Sequence, residues 1–150
     1  MKRSGKEIIL RTAFVAYCVL MLWLLFGRQQ YEVENGYFTQ MGQNINLRPG
    51  ATILLYINVL LSPSLSHLIP HAIINLGGNI GMFIPLGLFL PAIWPGLQKL
   101  WKTLLVTALI ISLVEIAQLL SLVGSCDVDD LILNVLGCAM GFGVYRLSTG

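Results

Sequence analysis

Residues 103 to 123 read TLLVTALIISLVEIAQLLSLV, and Glu115 is the one acidic or basic side chain in this apolar run. A helix needs about 20 consecutive apolar residues to cross the hydrocarbon core of a membrane. The run therefore predicts a membrane-spanning helix that carries a carboxyl group within the bilayer. This stretch decides the fold class, because a chain that contains it is built for a lipid environment.

The composition of the whole chain agrees with this interpretation. Of its 150 residues, 56% are hydrophobic and 11% are charged, and the mean hydropathy is +0.79. Soluble domains carry about 25% charged residues. The net charge of +2 comes without a long basic run that includes aromatic residues, so nothing indicates a nucleic-acid partner. The composition predicts an integral membrane protein that is surrounded by membrane lipids.

Three further apolar runs are long enough to span, at about residues 8–26, 72–94 and 128–147. The first run is longer than the hydrophobic region of a signal peptide, and no small-x-small cleavage site follows it, which indicates an uncleaved anchor. Pro85 and Pro91 lie in or near the second run, and membrane helices tolerate proline. The sequence thus predicts four transmembrane helices.

The first outer loop, residues 27–71, contains a shorter apolar segment at 51–61 that ends at Ser62 and Pro63. Because it is too short to span, we expect an interfacial or re-entrant helix. The predicted fold is an all-α membrane protein, a single domain over 1–150 with four transmembrane helices and a short interfacial helix in this loop.

The distribution of lysine and arginine predicts the orientation, because cytoplasmic loops carry an excess of both. With the N-terminus inside, the inner segments hold seven of these residues and the outer segments hold two. The inner set is Lys2, Arg3, Lys6, Arg11, Lys99, Lys102 and Arg146, and the outer set is Arg28 and Arg48. We therefore expect both termini to be cytoplasmic.

Polar side chains recur at helical spacing within three of the spans. They form pairs or triplets three or four residues apart, so each set lies on one face of its helix. In the predicted topology all three sets lie in the outer half of the membrane, where polar groups of the loop cover them. The predicted binding residues are Asn46, Arg48, Asn75, Asn79, Glu115, Gln118, Asp127, Asp130 and Asn134.

Structural roles compete with binding at several of these positions. Buried amides also hydrogen-bond between membrane helices, and Gly77-x-x-x-Gly81 and Gly137-x-x-x-Gly141 are typical of close helix contacts. Acids at a helix N-terminus cap free N–H groups, which accounts for Asp127 or Asp129. For Glu115 we favour a functional role, because an ionisable group at this depth is costly.

Two histidines, His67 and His71, are four residues apart, which is a spacing found in metal pairs. Pro70 lies between them and interrupts the helix that would align them. We therefore favour two interfacial histidines and expect neither a metal site nor another cofactor.

Taken together, these motifs resemble the VanZ-like family over about residues 46–147. The motifs that carry the resemblance, in chain order, are Asn46-Leu47-Arg48-Pro49, Asn75-Leu76-Gly77-Gly78-Asn79, Phe83-Ile84-Pro85-Leu86-Gly87, Glu115-Ile116-Ala117-Gln118 and Asp127 to Asn134 with Gly137 and Gly141. Relatives often have an arginine before the acidic run, where this chain has Gly124-Ser125-Cys126. A charge pair involving that arginine is therefore absent here, or Arg48 takes its place.

The resemblance implies a protein of the bacterial plasma membrane, in a family whose namesake is linked to resistance to the glycopeptide teicoplanin. It favours a non-enzymatic protein whose outer polar site binds an envelope lipid, a lipid-linked cell-wall precursor or a glycopeptide. One alternative is an intramembrane enzyme acting on an envelope lipid, with Glu115 and Asp130 as acid and base, or with a divalent cation held by these two and Asp127. The other is a transporter or channel, which four spans would form as an oligomer, although the inverted repeat of many transporters is not visible.

Overall fold

The computed structural model describes residues 5–27 and 36–150 of the chain. Its helices are α1 (Gly5–Phe26), α2 (Tyr37–Gln43), α3 (Ala51–Leu61), α4 (Ile69–Ile93), α5 (Leu100–Leu120) and α6 (Val128–Thr149), with 3-10 turns at Pro63–Leu68 and Pro95–Leu97. Two short strands, β1 (Ile45–Asn46) and β2 (Cys126–Asp127), pair in parallel. Lys2, Arg3 and Arg28, which contribute to the predicted orientation, lie outside the described residues.

Four of the described helical stretches are long and apolar enough to cross a membrane, which confirms the predicted fold class. They are α1, α5, α6 and the stretch from Pro63 to Ile93, which includes α4. The shorter α3 forms a separate helix, as the sequence predicts. α4 continues over Pro85 and Pro91, in line with the tolerance of membrane helices for proline.

The third span ends at Leu120 rather than continuing to Val123, because the backbone turns left-handed at Leu122, where φ is +54°. The N–H of Val123 donates to the Gln118 carbonyl at 3.1 Å, and the N–H of Leu122 donates to the Leu119 carbonyl at 3.2 Å. This is the pattern that ends many helices, usually with glycine in the left-handed position. A leucine there gives no sequence signal for the end of the helix.

The central contact of the bundle joins α4 and α6 through glycines. A Cβ added at Gly137 would lie 2.1 Å from the Ile80 carbonyl oxygen, and one at Gly141 would lie 1.9 Å from the Ile84 carbonyl oxygen. A Cβ added at Gly87 would likewise lie 1.9 Å from the Cys138 carbonyl oxygen. Small residues allow two helix backbones to approach this closely.

The predicted role of Gly137 and Gly141 is therefore confirmed, whereas the close contact expected of Gly77 and Gly81 is wrong. A Cβ at either of these two would meet no atom within 4 Å. Gly87, two turns further along α4, supplies the close approach instead. Spacing alone cannot distinguish these glycines, because it does not show which face of α4 meets α6.

The first helix lies at the periphery of the bundle, and Met21 is the single buried residue among the described residues of α1. Tyr17 Oη donates to the Met82 carbonyl oxygen at 2.8 Å. The Phe14 ring contacts the rings of Phe89 and Trp94 at centroid distances of 5.7 and 5.3 Å. These contacts attach the middle of α1 to α4.

Several loops and helix ends meet at one end of the bundle, which we call the sheet end because β1 and β2 lie there. The Cys126 N–H donates to the Asn44 carbonyl oxygen at 2.8 Å, next to the strand pair. The Gln118 amide Nε2 donates to the Leu25 carbonyl oxygen at 2.8 Å, so the last turn of α1 also lies here. α4 and α6 begin at this end, and α5 finishes here.

Candidate functional site

Asp127 joins the start of α6 to the loop that precedes α3. As the N-cap of α6, its Oδ1 accepts the N–H of Asp129 at 2.9 Å. Its Oδ2 accepts the Thr52 hydroxyl at 2.6 Å and the Asn46 amide at 3.2 Å. The capping role expected for an acid in this run is therefore confirmed for Asp127.

Asp129 caps a different helix from the one that carries it. Its side chain is fully buried, and its oxygens accept the backbone N–H groups of Gly50 at 2.6 Å, Thr52 at 2.7 Å and Ile53 at 3.1 Å. These donors lie at the N-terminus of α3, where the helix dipole favours negative charge. We call Asp127 and Asp129 the α3 latch, because together they fix α3 against α6.

The third acid of this turn points into a cavity of about 670 Å³ at the sheet end. Asp130 Oδ1 accepts the Asn79 amide at 2.5 Å. Polar side chains of α4, α5 and α6 line this cavity together with apolar side chains of α1. The predicted site residues in its lining are Asn75, Asn79, Glu115, Gln118, Asp130 and Asn134.

Three polar atoms in this lining lack a hydrogen-bond partner within the described structure. They are Oε1 of Glu115 and the Oδ1 atoms of Asn75 and Asn134. Glu115 is 7% exposed and Asn134 is 6% exposed. Since buried polar groups are nearly always hydrogen-bonded in folded proteins, these three oxygens can each accept a further hydrogen bond.

A second cavity of about 320 Å³ adjoins the first beneath α3. Asn46 and Asp127 are the predicted site residues in its lining, in addition to Asn75 and Asp130. The residues common to the two linings are Tyr56, Asn75, Ser125 and Asp130. The two chambers therefore meet at a boundary that includes a phenol, a hydroxyl and a carboxyl group.

Tyr56 and His71 belong to this boundary region, although the sequence did not indicate them as site residues. Tyr56 Oη lies 3.1 Å from His71 Nε2. Burial, with a smaller contribution from the negative charges of Asp130 and Asp127, raises the pKa of the Tyr56 phenol above its usual range. For Tyr56 the available signal was its spacing from Thr52, since the two are four residues apart on one face of α3.

Cys126 lies close to Glu115, with Sγ 3.8 Å from Oε2. Burial raises the pKa of the Cys126 thiol, and the nearby Glu115 carboxyl group raises it further. The thiolate is the nucleophilic form of cysteine, so this environment keeps Cys126 in its unreactive thiol form.

Two of the predicted site residues, Gln118 and Arg48, have surroundings that differ from those expected. Gln118 lines the large cavity, but its amide Nε2 is engaged with the end of α1. Arg48 is exposed, and its guanidinium makes no hydrogen bond or ion pair to a residue that the structure describes. It lines neither cavity, so the structure does not bring Arg48 to the acids as expected.

Comparison with known proteins adds independent information. A family model described as VanZ/LLP1 matches residues 14–149 of this chain. The chain is 27% identical to "Protein VanZ" of Enterococcus faecium over 142 residues, which cover 95% of this chain and 76% of that protein. No solved structure matches the chain.

Proposed function

The chain belongs to the VanZ/LLP1 family of multi-pass membrane proteins, and on this basis we propose that its polar cavity binds an envelope lipid, a lipid-linked cell-wall precursor or a glycopeptide. Bound ligand at this site changes the access of teicoplanin-type antibiotics to the cell envelope. The family link supplies the biological context, since its namesake is linked to resistance to teicoplanin. The cavity supplies the place where a ligand would bind.

The observation that carries this proposal is the convergence of six polar side chains from three helices on one cavity. A volume of about 670 Å³ lies within the range of small-molecule pockets, roughly 300–1,000 Å³. Glu115, Asn134 and Asn75 enter its lining with atoms that lack partners in the described structure. Side chains that only joined helices would satisfy one another instead of leaving such atoms.

An intramembrane enzyme is the alternative, favoured by the presence of Glu115 and Asp130 in one cavity. Two carboxyl groups in a shared site can act as acid and base. Two candidate nucleophiles are less well placed. Ser112 lines neither cavity, and Cys126 is held as a thiol. Product formation from labelled envelope lipids, lost in Glu115→Gln, would identify an enzyme.

Expression in a teicoplanin-sensitive bacterium tests the proposed function. We expect the wild-type chain to raise the minimal inhibitory concentration of teicoplanin, and Glu115→Ala and Asp130→Ala to return it to the level of the empty vector. Both substitutions remove a carboxyl group from the cavity lining. Leu113→Ala is the control, because Leu113 lies on the same helix as Glu115 and is 67% exposed.

The comparison requires equal amounts of each variant in the membrane, measured by immunoblotting of membrane fractions. Susceptibility that is the same with wild type, both acid variants and vector would contradict a role in resistance. A loss of resistance with Leu113→Ala as well would assign the effect to general damage of the bundle.

We further propose that the sheet end faces the outside of the plasma membrane and that both termini are cytoplasmic. Arg48 and Lys99 are exposed and lie at opposite ends of the bundle. With the native Cys18, Cys126 and Cys138 changed to alanine, a membrane-impermeant maleimide added to intact cells is expected to label Arg48→Cys but not Lys99→Cys. Lysis should expose the second position. Labelling of Lys99→Cys but not Arg48→Cys in intact cells would show that the protein has the opposite orientation.

A further inference from the structure

We propose that the ligand of the large cavity is a membrane amphiphile whose head group donates hydrogen bonds, through an ammonium or hydroxyl group, rather than a lipid phosphate. This inference rests on the proposed function, since it names the chemistry of the molecule that the cavity binds. It follows from the different character of two sides of the cavity, which we call the polar wall and the apolar wall.

The polar wall is formed by Asn75, Asn79, Glu115, Asp130 and Asn134. It carries two carboxyl groups, and no lysine or arginine belongs to the cavity lining within the described parts of the chain. A phosphate group brings negative charge and acceptor oxygens, which this wall already supplies. A head group that brings donors, with or without positive charge, is complementary to it.

Glu115 gives the clearest indication of what the polar wall lacks. Its Oε2 accepts the Cys126 thiol, whereas its Oε1 is buried and has no donor within the described structure. Thiols are weak donors, so the hydrogen bond that Oε2 accepts from Cys126 is also weak. An ammonium or hydroxyl group placed here would supply a strong donor to a carboxyl group that is 7% exposed.

The two asparagines with partnerless oxygens can bind a head group that donates hydrogen bonds or one that accepts them. Half a turn of the amide exchanges its oxygen and nitrogen, so Asn75 and Asn134 can present an acceptor or a donor. They therefore orient a ligand without selecting its charge. The selection comes from Glu115, whose partnerless carboxyl oxygen favours a donor.

The apolar wall indicates that the ligand also has a hydrocarbon part. It is formed by Trp23, Leu24 and Leu25 of α1, and Leu25 lies level with the polar wall because its carbonyl accepts Gln118. One helical turn deeper than Asn79 and Glu115, the floor of the cavity is formed by Met82, Phe83 and Ile111. Apolar surface beside a polar wall suits an amphiphile better than a fully polar solute.

The position of α1 suggests that such a ligand reaches the cavity from the bilayer. α1 lies between the cavity and the surface of the bundle at the sheet end, and Trp23, which belongs to the cavity lining, is 68% exposed. The last turns of α1 are held by the Gln118 bond and by Met21, whereas the ring contacts of Phe14 and Tyr17 to α4 lie nearer its middle. A molecule that already resides in the membrane therefore reaches the site past the last turns of this helix.

Three probes that share one tail and differ in the head group test this inference. They are dodecylammonium, dodecyl maltoside and dodecyl phosphate, added to the full chain held in an amphipathic polymer so that no detergent competes. Binding is followed by the fluorescence of Trp23 after Trp94→Phe and Trp101→Phe make it the sole tryptophan. We expect dodecylammonium or dodecyl maltoside to bind at least about tenfold more tightly than dodecyl phosphate.

Matched variants assign the binding to the polar wall. Glu115→Gln is expected to weaken dodecylammonium by about tenfold while leaving dodecyl phosphate unchanged or tighter. Leu113→Ala, on the exposed side of α5, is the control and should change none of the three. A loss of affinity in Glu115→Gln that is larger for dodecylammonium would identify an ammonium head group, and one that is larger for dodecyl maltoside would identify a hydroxyl head group.

Three results would overturn the inference. The first is tightest binding of dodecyl phosphate, and the second is equal binding of all three probes. The third is that methylammonium or maltose, which have no tail, binds as tightly as the probe with the same head group, since that would remove the role of the apolar wall. Any of these results, combined with loss of resistance in Glu115→Ala, leaves the proposed function in place and rejects only this ligand chemistry. Unchanged resistance in that variant rejects the proposed function instead.

Discussion

Gly141→Ala is expected to force α4 and α6 apart and to lower the free energy of unfolding by about 1–3 kcal/mol or more. The new Cβ would lie 1.9 Å from the Ile84 carbonyl oxygen and 3.2 Å from the Gly87 Cα. Both neighbours are backbone atoms, so no side-chain rotation relieves the overlap and the helices themselves must move. Thermal unfolding of the purified protein, followed by gel filtration after heating, measures the loss.

Gly143→Ala is the matched control for this prediction. Gly143 lies on the same helix two residues away, and a Cβ there meets no atom within 4 Å. Since alanine has the higher helix propensity, this change should leave stability equal or slightly increased. Equal stability of the two variants would show that α4 and α6 are not packed through Gly141.

Removal of the Asp129 carboxylate is the second change for which we expect a large effect. Asp129→Ala leaves the N–H groups of Gly50, Thr52 and Ile53 without their acceptor. A hydrogen bond to a charged group contributes about 1.5–3 kcal/mol, so the three together account for several kcal/mol of local stability. We expect α3 to detach from α6 and the amides at its start to exchange with solvent much faster.

Hydrogen–deuterium exchange of the peptide that contains residues 50–61 measures this effect directly. Asp129→Asn should give an intermediate rate, because an amide keeps one acceptor oxygen of the two. Glu7→Ala is the control carboxylate, since Glu7 pairs with Arg11 on an exposed face and such pairs contribute little. Exchange at residues 50–61 that is the same in Asp129→Ala and wild type would contradict the latch.

Hydropathy and spacing predicted the parts of the fold that depend on local sequence. Apolar runs of sufficient length gave the four spans, and Ser62 with Pro63 marked the end of α3. Steps of three and four residues placed each polar set on one face of its helix, and the alternating topology brought the sets to one depth. The convergence of Asn79, Glu115 and Asp130 in one cavity follows from these two facts.

Features that depend on distant pairing were not predictable in the same way. Asp129 and Asp130 are adjacent acids, yet one caps α3 and the other bonds to Asn79. Their partners lie dozens of residues away, and spacing along α6 gives only the directions in which the two side chains point. The strand pair of β1 and β2 is two residues long on each side, too short to leave an alternating pattern.

The first turn of α6 has a consequence for how the two chambers behave. Asp127 and Asp129 fix α3, while Asp130 faces the cavity, and all three belong to one short stretch of backbone. A ligand that shifts this turn on binding therefore also changes the stability with which α3 is held. By thermodynamic reciprocity, whatever displaces α3 changes the affinity of the cavity by the same factor. For such a ligand, the occupancy of the cavity and the position of α3 are linked equilibria.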